Sequence, residues 1–298
     1  MPQNDRVEVY NFFAYLDGSG IKRIFMEREL QETLTAVLKS KMEGFIPADQ
    51  EKIISFIENP GYKPEHGEVF VIDQFEIPQY IKNSIKNPRG FHGLTEADYD
   101  DIKAIYWGKW IEEKESYEIA FQIFDSRRII GRHLGKHAIF HDSNTFKQED
   151  RKLLVIDERV DVLYTDGKLY FRSFYNAKRI FGDQMSEYYR EATDDEVKKF
   201  GEDLFGNSNI PEDFLDSQAR KFIFWIVKTY SNFDYQKIVD KGEEFGLTLM
   251  IDGNTGKLVL PDTKKEFKQL LRLLNSDMYE SPITGEKFVT NSKKKLQT

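Results

Sequence analysis

A group of basic residues in the middle of the chain is the clearest feature with chemical meaning. Positions 127 to 152 hold seven basic residues against three acidic ones, namely Arg127, Arg128, Arg132, Lys136, Lys147, Arg151 and Lys152. A second basic group near the end of the chain consists of Lys293, Lys294 and Lys295. Such groups neutralise phosphates and release counterions, which gives salt-dependent, sequence-tolerant binding of nucleic acid. We therefore expect both groups to bind the phosphate backbone of double-stranded DNA.

The overall charge balance is acidic, and this leaves an alternative open. The formal net charge is −8, and the segment 187–216 alone holds ten acidic residues against three basic ones. The basic residues could instead form a solvated face that pairs with this segment, in the same chain or in a second copy. The acidic segment could also contact the cytoplasmic side of a membrane protein, where lysine and arginine are enriched.

Three evenly spaced histidines raise the question of a metal site. His133, His137 and His141 are four residues apart, so they would share one face of a helix or of a strand, with Asp142 or Asp150 nearby. However, the sequence GRHLGKHAIFHD contains two glycines and no clear helical period. A polar surface explains the same residues, and we predict no metal site.

A nuclease site is a second catalytic alternative. Metal-dependent nucleases use an acidic residue followed, on the next strand, by Glu-x-Lys, where the carboxylates hold Mg²⁺ and the lysine stabilises developing charge. Here Asp100 or Asp101 precedes Glu112 and Lys114. Charged residues are equally expected at 112–116, which we interpret as the tip of a hairpin.

Other classes of chemistry lack the residues that they need. The chain has no cysteine, which excludes disulfides, thiolate metal sites and cysteine nucleophiles. It also lacks the glycine-rich phosphate-binding patterns and the GxSxG elbow of hydrolases. We predict no catalytic residues and no cofactor. No apolar run is long enough to span a bilayer and no signal peptide is evident, so we expect a cytoplasmic protein without direct membrane insertion.

The elements that position these residues indicate an α+β fold. The chain is β-rich over 1–174, with antiparallel hairpins, and mainly helical over 175–298, although the boundary is weakly marked and one continuous domain is possible. The strongest local pattern is at 160–173, where Asp166-Gly167 between two β-rich runs predicts a two-residue hairpin.

Hydrophobic spacing predicts several further elements. We expect helices over 28–43, 48–58 and 212–230, and a hairpin formed by 247–251 and 257–260. The apolar core FIFWIV of the helix at 212–230 predicts a helix that is buried on all sides.

Two longer stretches carry a family resemblance. The sequence IDERVDVLYTDGKLYFRSFYNAKRIFG at 156–182 joins a hairpin to a helix start of the form Asn-x-x-x-Ile-Phe. The C-terminal part has a short strand, an Asp-Gly hairpin, the helical stretch KEFKQLLRLLNSDMYESPITGEKF and a final Ser-Lys-Lys-Lys-Leu. Over roughly 100–298, these features resemble the KwaB family, the cytosolic component of the Kiwa anti-phage defence system of bacteria.

The resemblance implies a DNA-binding effector that forms a homodimer and works beside KwaA, a tetrameric transmembrane partner that senses infection at the inner membrane. It supplies no DNA-contact motif that can be matched position by position, so the basic residues above rest on local charge. Our leading hypothesis is a non-enzymatic DNA-binding effector recruited to the membrane by this partner. The alternatives are a metal-dependent nuclease and a pure protein-interaction adaptor that acts through the acidic helical half.

Overall fold

The computed structural model describes residues 9–58, 61–130, 138–142, 145–149 and 151–294. The fold is α+β, with sheet strands in the N-terminal half and most helices in the C-terminal half, which confirms the predicted fold class. Two compact units divide the chain. The sheet unit comprises Met1–Ile57 and Pro64–Gly182, and the helical unit comprises Glu58–Lys63 and Asp183–Thr298.

An eight-stranded sheet forms the centre of the sheet unit. Its strands are β1 (Asn11–Leu16), β2 (Ile21–Ile24), β3 (Ile53–Ser55), β4 (Val69–Ile72), β5 (Ile102–Ile111), β6 (Ser116–Ile123), β11 (Val162–Thr165) and β12 (Lys168–Phe171). Their order in the sheet is β2-β1-β5-β6-β11-β12-β4-β3. All neighbours pair antiparallel except β3 and β4, which are parallel.

Helices cover both faces of this sheet because successive side chains of a strand point to opposite sides. On one face, Trp107 of β5 donates from its indole Nε1 to Met42 Sδ, 3.1 Å away, in α1 (Arg28–Glu43). On the other face, the hydroxyls of Tyr106 and Ser84 lie 2.6 Å apart, and Ser84 belongs to α2 (Gln79–Lys86). Phe121 packs on the same side against Phe181 at the end of α3 (Phe174–Phe181).

The hairpin predicted at Asp166-Gly167 joins β11 to β12. Both turn residues have positive φ, 49° at Asp166 and 75° at Gly167, which is the geometry that a two-residue hairpin turn requires. The predicted helix over 28–43 coincides with α1, and its C-terminal neighbour is Gly44.

One predicted element is wrong, and a second is only partly formed. In place of a helix over 48–58, the chain forms a short 3₁₀ turn at Gln50–Lys52 followed by strand β3. The isoleucines there were assigned to a helical face, but pairing with β4 buries Ile54 in the sheet instead. The predicted hairpin of 247–251 and 257–260 is reduced to a single bridge between Ile251 and Leu258.

Three small two-stranded sheets complete the β structure of the described residues. They pair β7 (Ile129–Ile130) with β10 (Leu153–Leu154), β8 (Ala138–Asp142) with β9 (Thr145–Glu149), and β13 (Met278–Glu280) with β14 (Lys287–Val289). The first of these pairs connects the two ends of the basic segment 127–152.

The helical unit contains α4 (Asp183–Ser186), α5 (Asp194–Phe205), α6 (Ser217–Thr229), α7 (Tyr235–Glu244) and α8 (Lys264–Leu274). Capping boxes begin α5 at Thr193 and α8 at Thr263, while the Asp216 carboxylate accepts the Ala219 N–H at the start of α6. Phe200, Ile223 and Phe267 lie fully buried where α5, α6 and α8 pack together.

The predicted helix over 212–230 is divided, since a 3₁₀ turn at Glu212–Phe214 precedes α6. Its predicted burial on all sides is also wrong: Ile223 and Phe224 are buried, but Phe222 and Trp225 remain half-buried. Within the described ranges, no helix combines the length and the apolar character needed to cross a membrane.

Candidate nucleic-acid interface

Arg127 is one of the exposed cations of the predicted basic segment. It lies in the 3₁₀ turn Ser126–Arg128 directly after β6, and its side chain is 87% exposed. Its Nη2 lies 2.7 Å from Asp125 Oδ2, and this hydrogen bond lowers the pKa of Asp125 and raises that of Arg127. Arg127 is therefore at the surface, but a neighbouring carboxylate offsets its charge.

Arg128 points into the protein. The residue is only 8% exposed, and its Nη2 lies 2.9 Å from Asp157 Oδ2. Burial lowers the pKa of Arg128 and the charge of Arg159 lowers it further, while Asp157 and nearby acids oppose the shift. The backbone C=O of Arg128 also accepts the Val155 N–H, at 2.8 Å. These contacts give Arg128 a structural role, and we leave it out of the proposed DNA contacts below.

The end of the basic segment lies close to its beginning, because β7 pairs with β10. Leu153 lies opposite Ile130 in this antiparallel pair. Arg128 therefore directly precedes one strand of the pair, and Arg151 and Lys152 directly precede the other. Lys152 Nζ is 3.6 Å from Asp100 Oδ2, whereas Arg151 is exposed, as is Lys147 on β9. Arg132 and Lys136 lie outside the described residues.

The C-terminal lysines are divided between a buried contact and the surface. Lys293 Nζ lies 2.8 Å from Asp277 Oδ1, and the Asp277 side chain is only 10% exposed. Lys294 is exposed, and Lys295 lies outside the described residues.

The nuclease constellation is not assembled. Asp101 immediately precedes β5 and Glu112 immediately follows it, so the ten extended residues of this strand separate them. At about 3.3 Å per residue this amounts to about 30 Å, which prevents the two carboxylates and Lys114 from sharing one metal ion. No group of three potential ligands from His, Asp and Glu is found in the residues that the structure describes. His133 and His137 lie outside those residues, and His141 belongs to β8.

The acidic segment 187–216 is bound by cations of its own unit. Arg190 holds Glu196 through two hydrogen bonds, of 2.6 and 2.8 Å. Arg220 lies 2.9 Å from Asp194 and 3.3 Å from Glu212. Many of the acids of this segment therefore stabilise the helical unit itself.

Asp216 shows the strongest such interaction. Its carboxylate forms an ion pair with Lys268 and accepts the Ala219 N–H, and Lys264 lies 3.5 Å away. The hydrogen bond from Lys268 is the largest influence, and together these contacts lower the pKa of Asp216 to about 2.

The helical unit also contains a cavity that we call the cationic cleft. It has a volume of about 630 Å³. Its basic lining residues are Lys63, Lys221, Arg272 and Lys293, and its aromatic ones are Tyr62, Tyr189, Phe222 and Trp225. The other lining residues include the polar Gln218, Asn275 and Asn291, together with Gly61 and Asp277.

Helix α6 supplies one complete side of the cationic cleft. Lys221, Phe222 and Trp225 follow Gln218 by three, four and seven residues, which places all four on the same helix face. Arg272 lies in the last turn of α8. Lys63 belongs to the segment Glu58–Lys63, which comes early in the chain but is part of the helical unit. This segment is fixed by a hydrogen bond of 3.0 Å from the Lys63 N–H to Ser292 Oγ.

The cations of the cationic cleft are unusually available. Lys63, Lys221 and Arg272 make no ion pair with any of the described residues. The acid at the cleft, Asp277, is already engaged, because Lys293 binds it and Asn275 Nδ2 lies 3.0 Å from both of its oxygens. The cavity thus presents uncompensated positive charge beside aromatic rings, a combination suited to a phosphate attached to a planar group.

The sequence analysis missed this cleft, because its free cations come from positions 63, 221 and 272 and form no local run. One local pattern was visible: Gln218, Lys221 and Trp225 share a face of a helix that we predicted to be wholly buried. Polar and aromatic residues on one face of such a helix indicate a surface rather than a core.

One comparison with known proteins gives a match. The family model described as Kiwa protein KwaB-like matches residues 110–284, which is more than half of the 298 residues. No curated protein matches the chain, and neither does any solved structure.

Proposed function

Because the chain belongs to the Kiwa KwaB-like family, we propose that it is a non-enzymatic DNA-binding effector of a Kiwa anti-phage defence system. Membership of this family suggests a component of that system and implies a complex with other components. The proposal adds what the component does: it holds DNA by its phosphates and leaves the strands intact.

The observation that carries this proposal is the set of three free cations at the cationic cleft. A lysine or arginine without a carboxylate partner gains most from a phosphate, since no internal ion pair must first be broken. Lys63, Lys221 and Arg272 meet this condition among the described residues, whereas Arg127 and Lys152 already have aspartate partners.

We also propose a second set of phosphate contacts, made by exposed cations of the two basic groups. Arg127, Lys147, Arg151 and Lys294 are exposed and would contact phosphates without reading bases. Reversing the charge of Arg127 should therefore weaken binding to all DNA sequences alike, and loss of binding to one sequence only would contradict this role.

Partners form the last part of the proposal. We place the chain in a homodimer beside the transmembrane protein KwaA at the inner face of the membrane. The resemblance to the KwaB family supports these assignments, and exposed acids of the helical unit such as Asp195 and Asp213 would suit contacts with the basic cytoplasmic loops of such a partner.

A salt series with the purified protein tests the DNA-binding function. Labelled double-stranded DNA is titrated from low to high salt, with and without Mg²⁺. We expect binding that weakens linearly on a logarithmic scale, by a slope of about 0.9 per phosphate contacted, and DNA that stays intact. The variant K221E/R272E should lower this slope by roughly 2, as each lost contact removes about one unit.

A matched control separates local charge from net charge. K237E/K265E reverses two exposed lysines of the same unit that lie outside the cationic cleft, so it changes the net charge equally and should leave the slope unchanged. Absence of binding at low salt would remove the proposed function and direct attention to a protein partner. Cleavage that requires Mg²⁺ would replace it with the nuclease alternative.

A further inference from the structure

We propose that the cationic cleft seats a single unstacked nucleotide, with its base against the aromatic wall and its phosphate against the three free cations. This inference rests on the proposed function and specifies which part of a nucleic acid the cleft receives. A free nucleotide and an unpaired nucleotide of a strand share this chemistry.

The size of the cationic cleft limits which ligands can enter it. Its volume of about 630 Å³ lies within the range of about 300–1,000 Å³ in which proteins bind small molecules. A nucleotide fits such a space, whereas the body of a duplex does not. The phosphates of a duplex can reach the cations at the mouth of the cleft, but a base must leave its stack before it can enter.

The aromatic wall gives such a base something to stack on. Tyr62, Tyr189 and Trp225 line the cleft and are only half-buried, so part of each ring is accessible. Stacking on aromatic rings tolerates any base, because every base has a flat π face. Burial, and to a smaller extent the charge of Asp277, raises the pKa of Tyr189, which keeps its hydroxyl neutral beside an incoming phosphate.

The positive charge of the cleft favours the binding of an anion. Lys221 and Arg272 are half-buried, and Lys63 stands exposed at the rim, none of them with an acidic partner in the described chain. Asp277 repels an anion only weakly, because Lys293 and Asn275 bind its carboxylate. A neutral aromatic ligand would give these cations no anion to bind, and a bare phosphate would not stack on the accessible ring faces.

The experiment compares three probes with the full-length protein at low salt. These are a labelled 12-nucleotide single strand, the same strand in a blunt duplex, and unlabelled dAMP as the free nucleotide. Binding of the labelled probes is followed by fluorescence anisotropy. Binding of dAMP is followed by isothermal calorimetry and by competition with the single strand.

We expect the single strand to bind about tenfold or more tightly than the duplex. W225A should weaken single-strand binding by about tenfold and duplex binding much less, since base stacking on an aromatic side chain contributes on this scale. W225F keeps an aromatic face and should retain most of the affinity. Y279A removes a half-exposed ring of the same unit outside the cleft, and it should have no effect.

Charge variants keep the test valid if W225A fails to fold, which thermal unfolding would reveal. K221E/R272E should abolish the preference for the single strand, and K237E/K265E should preserve it. Competition by dAMP at millimolar concentration or below would identify a free nucleotide as a ligand. Lack of competition, with the other results as expected, would assign the cleft to a nucleotide within a strand.

Two results would overturn the inference in distinguishable ways. Equal binding of single strand and duplex, unchanged by W225A and W225F, would remove the nucleotide site and leave the proposed DNA-binding function in place. Binding of dAMP without binding of either DNA would support the nucleotide site and remove the DNA-binding function. Absence of binding for all three probes would remove both.

Discussion

In the basic segment 127–152 of the sheet unit, Arg127, Arg128 and Lys152 lie beside acids, whereas three cations around the cavity of the helical unit have no acidic partner among the described residues. Arg128 of the sheet unit is buried against Asp157, and Arg127 is bound to Asp125. In the helical unit, Lys221 and Arg272 line the cationic cleft and make no ion pair with the described residues. A dense group of basic residues therefore does not guarantee cations without acidic partners.

This difference teaches that the number of basic residues in a segment is a poor measure of its capacity to bind phosphate. What matters is whether folding places an acid next to each cation. The segment 127–152 has a local excess of positive charge, but acids from elsewhere in the sheet unit, including Asp100 and Asp157, reach into it. Five predictions test the comparison, from large effects on stability to small ones.

The largest effect is expected from Asp157→Ala in the sheet unit. This change leaves the charge of Arg128 buried without its acid, which should lower the free energy of unfolding by about 2–3 kcal/mol. The hydrogen bonds that the Asp157 backbone makes with the Gln122 side chain do not depend on the carboxylate. Urea unfolding measures the loss.

The double variant R128M/D157A is its control. An apolar side chain of similar length at position 128 needs no acid, so most of the lost stability should return. If D157A were as stable as the wild type, Arg128 would not depend on its partner, and the contrast between the two units would be weakened.

A smaller loss is expected from Asp216→Ala in the helical unit, about 1–2 kcal/mol, because the change removes the cap of α6 as well as the ion pair with Lys268. Asp216→Ser keeps a capping oxygen and removes only the charge, so it should lose less. Equal losses in the two variants would show that the charge, rather than the cap, supplies the stability.

The same residue predicts a dependence on pH. Since the pKa of Asp216 is about 2 in the folded chain and 3.8 ordinarily, the unfolded chain takes up the proton first as the pH falls. The stability that the carboxylate contributes is complete above about pH 4 and is lost towards pH 2. The side chain is 38% exposed, so solvent reduces the effect. Urea unfolding between pH 6 and 2 should show a shallower decrease for Asp216→Ser.

Lys221→Ala combined with Arg272→Ala should scarcely change stability, by about 0.5 kcal/mol or less, because no ion pair with a described residue is lost. DNA affinity should nevertheless fall, as measured by the salt series above. A large loss of stability would mean that Lys221 and Arg272 stabilise the fold, as Arg128 does in the sheet unit.

Arg127→Ala should also have only a small effect on stability. Its pair with Asp125 lies at the surface, where such pairs contribute about 0–1 kcal/mol, so unfolding in urea should be almost unchanged. A loss of stability as large as that of D157A would indicate that the exposed Arg127 stabilises the fold as much as the buried Arg128 does.

Local patterns in the sequence were sufficient for much of the fold. The spacing of Leu30, Leu34, Val37 and Leu38 marked α1, and Asp166-Gly167 marked the hairpin between β11 and β12. The assignment failed where pairing with a distant strand decided the conformation, as at Ile53–Ser55, which β4 draws into the sheet. Short apolar runs fit a helix and a strand equally well, and only the partner distinguishes them.

The candidate site was less predictable for the same physical reason. The basic segment was visible because its residues are neighbours in the chain, but the acids that neutralise them are not, as with Asp100 and Lys152. The cationic cleft needs Lys63 beside α6 and α8, and nothing local in the sequence assigns residues 58–63 to the helical unit. Charge in a sequence can be counted, but its availability depends on the fold.

The hydrogen bond from the Lys63 N–H to Ser292 Oγ joins residues that are made at different times during protein synthesis. The two residues are 229 positions apart, so at about 5–20 residues per second roughly 10–50 s of protein synthesis separate them. Lys63 leaves the ribosome long before its partners on α6 and α8 exist. The cleft can be completed only when translation has reached residue 292, so a chain that is still being synthesised lacks the assembled cleft.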